Sequence, residues 1–524
     1  MLVGDIVRRN ATFFGSHGAV VVPGERHISW RELDERTDRF ANALHGLGLV
    51  KGDRLAILAP NCAEYLDFFF GCAKSGVIGA ATNIRLAGHE IVSYLSYVQP
   101  VAILVHADLA DFARSWLDDL PSLREVIGIG EGHGFGRDLE ELIAGAAPGE
   151  PDVAITESDV YQLGATSGTT GIPKAAMLSH RNAIAAMVSW LAEIPVRERE
   201  TALQCIPYFF NPGGAAGLHP VLMKGGRLVI PKAFAPRAFL EAIPRYCVTH
   251  TVLVPTMLQM VLNEPDVASY DMSSLRAINT GGSPFPGPLL ARGRQSMGDV
   301  FYPIYGMAES YSCATILRPQ NQFSEGTPQQ VAQLSSVGKP MVLTNVRVVQ
   351  PEQDRWGERD VPHDGGTAGE IWLASDTVSA GYFRMPEETA AGRNGRWFAT
   401  GDMAVIDAEG FVMIVDRLKD MIITGGINVF SIEVERALLQ HPDVEQAAVI
   451  GVPHPTWGEA IHAVVRTRPG GDVPEAELLE FAAARLAHYK KPRSVSFVGE
   501  FPVSGNGKIL KRLLREQWEA GRRP

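Results

Sequence analysis

Residues 166–174 read Thr-Ser-Gly-Thr-Thr-Gly-Ile-Pro-Lys, with four hydroxyls (Thr166, Ser167, Thr169, Thr170), two glycines (Gly168, Gly171) and Lys174 inside nine residues. Glycine tolerates positive φ and leaves room for a ligand beside the backbone. Hydroxyls and backbone N–H groups can then donate to phosphate oxygens, and the lysine adds charge. The spacing is not GxxxxGK[ST], so this is not a P-loop. A second glycine pair, Gly281-Gly282-Ser283, follows the apolar run Leu275–Asn279. Open α/β sheets place ligands beyond such strand ends, and two glycines there admit a flat ring. Near the C-terminus Lys508 closes the segment Pro-Val-Ser-Gly-Asn-Gly-Lys, where Gly505 and Gly507 make a flexible loop.

These groups need a scaffold, and the sequence predicts one. Ser29 and Glu32 form a capping box, followed by a helix whose apolar face is Leu33, Phe40, Leu44 and Leu47 and which ends at Gly46 and Gly48. Arg54–Ala59 reads as a short apolar strand, and Pro60-Asn61 as the opening of the next helix. The alternation returns at Val101–Val105, Val160–Leu163, Arg227–Ile230, Thr251–Val254 and Leu275–Asn279. Short apolar strands between helices predict an α/β fold with a largely parallel sheet. Gly128–Gly136 reads as a surface loop. From about Val412 the texture changes to strands, a Gly-Gly turn and short helices, the pattern of a small α+β domain.

Composition narrows the function classes. The chain has 524 residues, 46% apolar, with 48 Lys plus Arg against 59 Asp plus Glu, a net charge of −11. That is a globular chain of about three folding units, without the basic runs that nucleic-acid binding needs. No stretch reaches the roughly 18 uninterrupted apolar residues of a membrane helix, and the N-terminus has no signal-peptide block. Five scattered cysteines, none spaced CxxC, argue against a disulfide framework and a zinc site. A soluble, cytoplasmic globular protein is expected.

Taken in order, TSGTTGIPK, GGS (281–283), YGMAE (305–309), WFATGD (397–402), DRLKD (416–420) and PVSGNGK (502–508) resemble the motifs of the adenylate-forming superfamily: acyl-CoA and aryl-CoA synthetases, luciferases and peptide-synthetase adenylation domains. The resemblance implies a large N-terminal multi-sheet α/β adenylation domain (1–416), a hinge (417–420) with Lys419 at its pivot, and a small mobile α+β C-terminal domain (421–524). It implies that Thr166, Ser167, Gly168, Thr169, Thr170, Gly171 and Lys174 hold phosphate, and that Gly281, Gly282 and Ser283 meet adenine. Tyr305 would stack on the nucleotide, with Gly306, Met307 and Ala308 alongside. Glu309 would hold Mg2+, a hard cation suited to a carboxylate. Asp402 and Arg417 would take the ribose, and Lys508, with Glu309 and Lys174, would be catalytic. Gly425 and Gly426 would line the CoA thiol path, and the Lys490, Lys491 and Arg493 cluster is either a CoA phosphate contact or a solvated helix end.

The acyl motif falls on Phe209, Phe210, Asn211, Gly213 and Gly214. Phe210 stands where many members have histidine, Ala308 where threonine is usual, and Ala175 where glycine is usual. No Asp, Glu, Lys or Arg lies between Ile206 and Val221, which disfavours amino acids and dicarboxylates and leaves fatty, alicyclic and aryl acids. The resemblance is nearest to bacterial AMP-forming fatty-acid or alicyclic-acid CoA ligases: ATP and acid give an acyl-adenylate, which CoA thiol then attacks. A ligase that loads a carrier protein and a catalytically weak adenylate-binding protein are the alternatives. The expected partners are an acid, ATP and CoA; a homodimer is left open.

Overall fold

A computed structural model describes residues 1–166, 174–210, 219–283, 285–350, 359–471, 473–503 and 509–521. The chain divides into two units, Met1–Val346 with Leu373–Phe398, and Arg347–Trp372 with Ala399–Pro524.

The first unit holds two large sheets. In the nine-stranded sheet the order is Lys339–Pro340, Thr315–Ile316, Phe301–Tyr305, Ala277–Thr280, His250–Leu253, Thr201–Leu203, Arg227–Val229, Gly18–Val22 and Arg26–Ser29. Its central strands, from Phe301–Tyr305 to Gly18–Val22, are parallel. Their Val, Ile and Leu residues, the half-buried Ile304 apart, are buried, as a parallel sheet covered by helices requires. The seven-stranded sheet runs Arg137–Asp138, Glu125–Ile129, Ala102–His106, Arg54–Leu58, Ile78–Ala81, Val160–Ala165 and Ala175–Ser179. Only the last pair is antiparallel, a hairpin with register Ala165↔Ala175.

The predicted strands stand within two residues of their expected bounds. Ser29 accepts from the Glu32 N–H at 3.2 Å and opens the helix Trp30–Gly46. That helix packs on Glu64–Ser75, where the fully buried Lys74 ammonium is held by Asp34 at 2.6 Å and Asp38 at 2.7 Å. Two expectations shift. The helix after Pro60-Asn61 begins at Glu64, because the Asn61 side chain is engaged elsewhere. Gly128 and Ile129 belong to a buried strand, and only the residues beyond them turn at the surface. A side chain at Gly128 would meet the His133 ring at 2.1 Å, so glycine there admits that ring beneath the turn.

The second unit carries a sheet of order Ile427–Val429, Ile422–Thr424, Gly458–Thr467 and Val444–His454, with Ser494–Phe497 added parallel to Gly458–Thr467. Helices Ser431–Leu438 and Glu475–Ala483 supply Val434, Leu438 and Leu478 to its core. Leu514 of helix Lys511–Glu519 belongs to a second cluster with Ile450 and Val464. Among the described residues no helix is long and apolar enough to cross a membrane.

Candidate active site

The phosphate-loop segment sits at a hairpin. The strands on either side close up to Ala165↔Ala175, and the Thr166 N–H donates to the Lys174 carbonyl at 2.8 Å. Ser167, Gly168, Thr169, Thr170 and Gly171 lie outside the described residues. Ala175 is fully buried in the cluster that includes Leu163 and Ile103, so its methyl serves the core.

A chain segment that the sequence reading did not single out pins this hairpin. The Phe383 N–H donates to the Ala175 carbonyl at 2.8 Å, Met177 donates to the Gly381 carbonyl at 2.8 Å, and Ala176 bridges Tyr382. The Tyr382 ring thereby comes under Lys174, whose ammonium is 4.8 Å from the ring centroid. Its hydroxyl donates to Glu309 Oε1 at 2.7 Å. The Glu309 carbonyl in turn accepts from the Ser379 N–H at 2.6 Å. Glu309 is 9% exposed, and a carboxylate that deep holds its orientation through such a bond.

The two segments expected to meet the nucleotide emerge side by side. Strands Ala277–Thr280 and Phe301–Tyr305 are parallel neighbours with Thr280↔Pro303 in register, so Gly281–Ser283 and Tyr305–Glu309 lie at the same, C-terminal, end of these strands. A side chain on Gly281 would meet Ile304 Cγ1 at 2.7 Å, and one on Gly306 the Ser312 backbone at 2.3 Å. Glycine at both places permits close packing of these loops. Gly282 has φ +84° and Ser283 is exposed. Tyr305 and Ala308 are buried, and Met307 N–H donates to the Ser310 hydroxyl. Tyr311, just beyond, is hydrogen-bonded to Tyr161 of the strand that leads into the phosphate loop.

Of the acyl motif, Phe209 is buried in the main core and Phe210 is half-buried, with ring centroids 4.7 Å apart. Asn211, Gly213 and Gly214 lie outside the described residues. Asn61 sets this segment: its carboxamide donates to the Ile206 carbonyl at 3.2 Å and accepts from the Tyr208 N–H at 2.9 Å. The segment itself has no cation, but the Arg85 guanidinium reaches the Phe210 ring at 5.0 Å. The charge comes from a different element, which a scan of the segment alone does not detect.

In the second unit Asp402 and Arg417 face each other across an antiparallel pair, with Nε 2.5 Å from Oδ1. Gly401, at φ +75° within the strand Trp397–Ile406, donates its N–H to Glu370 Oε1 at 2.9 Å. Asp416 accepts from the Ser431 hydroxyl at 2.9 Å, and Asp420 from Arg515 at 2.8 Å, so both ends of 416–420 are tied while Lys419 is exposed. Burial raises the Asp416 carboxyl above its usual range. Gly425 and Gly426, at φ +59° and +77°, make the turn of an exposed hairpin. Lys490 is engaged by Glu433 at 2.7 Å, and Arg493 lies 4.5 Å over the Trp457 ring. Val503 pairs with Ile509, and Lys508 between them lies outside the described residues.

Residues 7–383 match the AMP-binding enzyme family, and residues 433–508 match the AMP-binding enzyme C-terminal domain. The chain belongs to the AMP-binding enzyme family. Feruloyl-CoA synthase from an Amycolatopsis species is 37% identical over 96% of both chains. The long-chain-fatty-acid–CoA ligase FadD13 of Mycobacterium tuberculosis is 32% identical over 99% of both. Among solved structures, o-succinylbenzoate CoA synthetase from Bacillus subtilis, in complex with its acyl-adenylate intermediate, superposes with a TM-score of 0.83 at 27% identity over 97% of each chain. This AMP-binding enzyme is an AMP-forming acid–thiol ligase that uses ATP and CoA, and its fold is the mixed α/β body with a small α+β C-terminal part.

Proposed function

We propose that this ligase activates a hydrophobic carboxylic acid, with residues 1–416 binding ATP and acid and residues 421–524 swinging about Lys419 between two half-reactions. The observation that carries the assignment of the site is the meeting of Lys174 and Glu309 on the single side chain of Tyr382. A cation and a carboxylate held together by one tyrosine suit a triphosphate and its counter-ion.

In the first half-reaction a carboxylate oxygen of the acid attacks the α-phosphorus of ATP, and the bond to pyrophosphate breaks. Two anions must approach, so positive charge and oriented donors dominate the barrier. Thr166 through Gly171 and Lys174 bind the phosphates, Gly281–Ser283 and Tyr305 the base, and Asp402 with Arg417 the ribose. Lys508 spans the carboxylate and the α-phosphate. Among the described residues no three His, Cys, Asp or Glu side chains cluster as a metal site. One buried carboxylate, Glu309, fits an ion that takes most of its oxygens from substrate phosphates and water, the habit of Mg2+. Bound there, Mg2+ would neutralise phosphate charge.

In the second half-reaction the CoA sulfur attacks the acyl carbon and AMP leaves with the bonding pair. Gly425 and Gly426 line the thiol path. CoA is favoured over a carrier protein, and an active enzyme over a weak adenylate binder, because feruloyl-CoA synthase and FadD13 are both named for CoA, although another relative, at 32% identity, is named a fatty acid–[acyl-carrier-protein] ligase. Phe209 and Phe210 support an apolar acid, aryl, alicyclic or fatty, and the cytoplasm supplies the ATP and CoA that this reaction consumes. Acid-dependent exchange of labelled pyrophosphate into ATP tests the acid class. Exchange with hydrophobic acids is expected; exchange confined to amino acids or short dicarboxylates would overturn it.

A further inference from the structure

In the nine-stranded sheet Gly281–Ser283 and Glu309 follow the C-terminal ends of parallel strands, and a different cavity lies at the N-terminal ends of that sheet's strands. It has a volume of about 430 Å3 and is lined by Arg199, Arg227, Arg276, Glu200 and His17 among others. Arg227 opens the strand Arg227–Val229, Glu200 and Arg199 precede Thr201–Leu203, and Arg276 precedes Ala277–Thr280. Gly281 stands at the far end of that last strand, a span of about 13 Å for four residues. The cavity is therefore separate from the adenylation site.

Its charge is unbalanced. Three guanidiniums line it against one carboxylate, in a chain whose net charge is −11. Glu200 is 8% exposed and lies 2.7 Å from Arg276 Nε, which accounts for one of the three. Arg227 spends Nε on the Thr201 hydroxyl and Nη2 on the Tyr246 carbonyl at the end of the helix Pro236–Tyr246. Arg199 Nη1 donates to His17 Nε2 at 3.0 Å. A guanidinium has five N–H donors, so each arginine keeps some for a ligand. Arg199 also adopts φ +60°, a left-handed conformation that is uncommon and costly outside glycine. Such outliers gather at binding sites.

We propose that this cavity is a second binding site, for a phosphate-bearing small anion. Planar forks match phosphate oxygens two at a time, and the volume lies in the range of small-molecule pockets. The site stands whether or not the acid class proposed above is right.

The test is calorimetric titration of inorganic pyrophosphate into the full chain with the adenylation site, its triphosphate subsites included, saturated by a non-hydrolysable ATP analogue, repeated with Arg199→Gln and with Arg199→Gln/Arg276→Gln. Wild type is expected to take up one pyrophosphate, with affinity falling at least tenfold in Arg199→Gln. The double variant is expected to lose the binding. Arg199 is exposed, so the single variant keeps the test valid if loss of the Glu200 partner unfolds the double one. Inorganic phosphate and AMP as separate titrants distinguish a simple phosphate ligand from a nucleotide. Absence of uptake in wild type, or equal uptake in Arg199→Gln, would overturn the proposal.

Discussion

The hydroxyl of Tyr382 donates to Glu309 Oε1 at 2.7 Å while its ring lies 4.8 Å from the Lys174 ammonium. One side chain thus orients the proposed metal-binding carboxylate and the phosphate-binding lysine. A hydrogen bond to a charged group contributes about 1.5–3 kcal/mol, and a cation over an aromatic face about 0.5–2 kcal/mol. Tyr382→Phe removes only the first. It should lower kcat/KM for ATP roughly tenfold or more and raise the Mg2+ concentration needed for half-maximal rate. Tyr382→Leu removes both contacts and should cost several-fold more. Steady-state kinetics over an Mg2+ series reads this; equal behaviour of both variants and wild type would remove Tyr382 from the site.

In the proposed mechanism Lys508 acts in one half-reaction only. Lys508→Ala should lose acyl-adenylate formation by about two to three orders of magnitude, the scale of a transition-state charge contact. Conversion of supplied acyl-adenylate and CoA to acyl-CoA should persist. Single-turnover assays of each step separate the two. Equal loss in both would argue against a domain exchange about Lys419.

Asp402 is nearly buried while its partner Arg417 is 43% exposed. Asp402→Ala leaves a cation that water can solvate, so its structural cost should be small. The loss of the ribose acceptor should instead raise KM for ATP about tenfold or more. Thermal melting alongside ATP kinetics checks the pairing: a large fall in melting temperature with KM unchanged would make the pair purely structural.

Both members of that pair were legible only as residues of motifs that resemble a family's; the register that sets them opposite one another is a finding of the structure. The strand positions were legible too, since buried parallel strands are short apolar runs. Tyr382 was not. It lies 73 residues from Glu309, in an unremarkable stretch whose pairing with Ala175–Ser179 is a tertiary event. Asn61 and Arg85 escaped for the same reason: each serves the Ile206–Phe210 segment from more than a hundred residues away. A rule that helices open after Pro-Asn also missed by three residues, because the Asn61 side chain bonds Ile206 and Tyr208 instead of capping a helix.

Burial lowers the His180 imidazole to a pKa of about 4 from 6.5, and its neutral Nδ1 accepts the Val3 N–H at 3.1 Å. The unfolded chain takes up the proton first. The stability that neutral His180 contributes is therefore complete above about pH 6.5 and is lost as pH falls from there toward 4. Urea midpoints should fall across this window by the equivalent of about 1–3 kcal/mol. His180→Gln should flatten that slope; an unchanged slope would place the acid sensitivity elsewhere.

The central claim is that this chain joins a hydrophobic acid to CoA at the expense of ATP. The direct measurement is mass-spectrometric quantitation of AMP and acyl-CoA after incubation with ATP, Mg2+, CoA and a mixed panel of aliphatic, alicyclic and aromatic acids. The account predicts that AMP and one dominant class of acyl-CoA accumulate in equal amounts. AMP without acyl-CoA for every acid, or neither product from any of them, would contradict it.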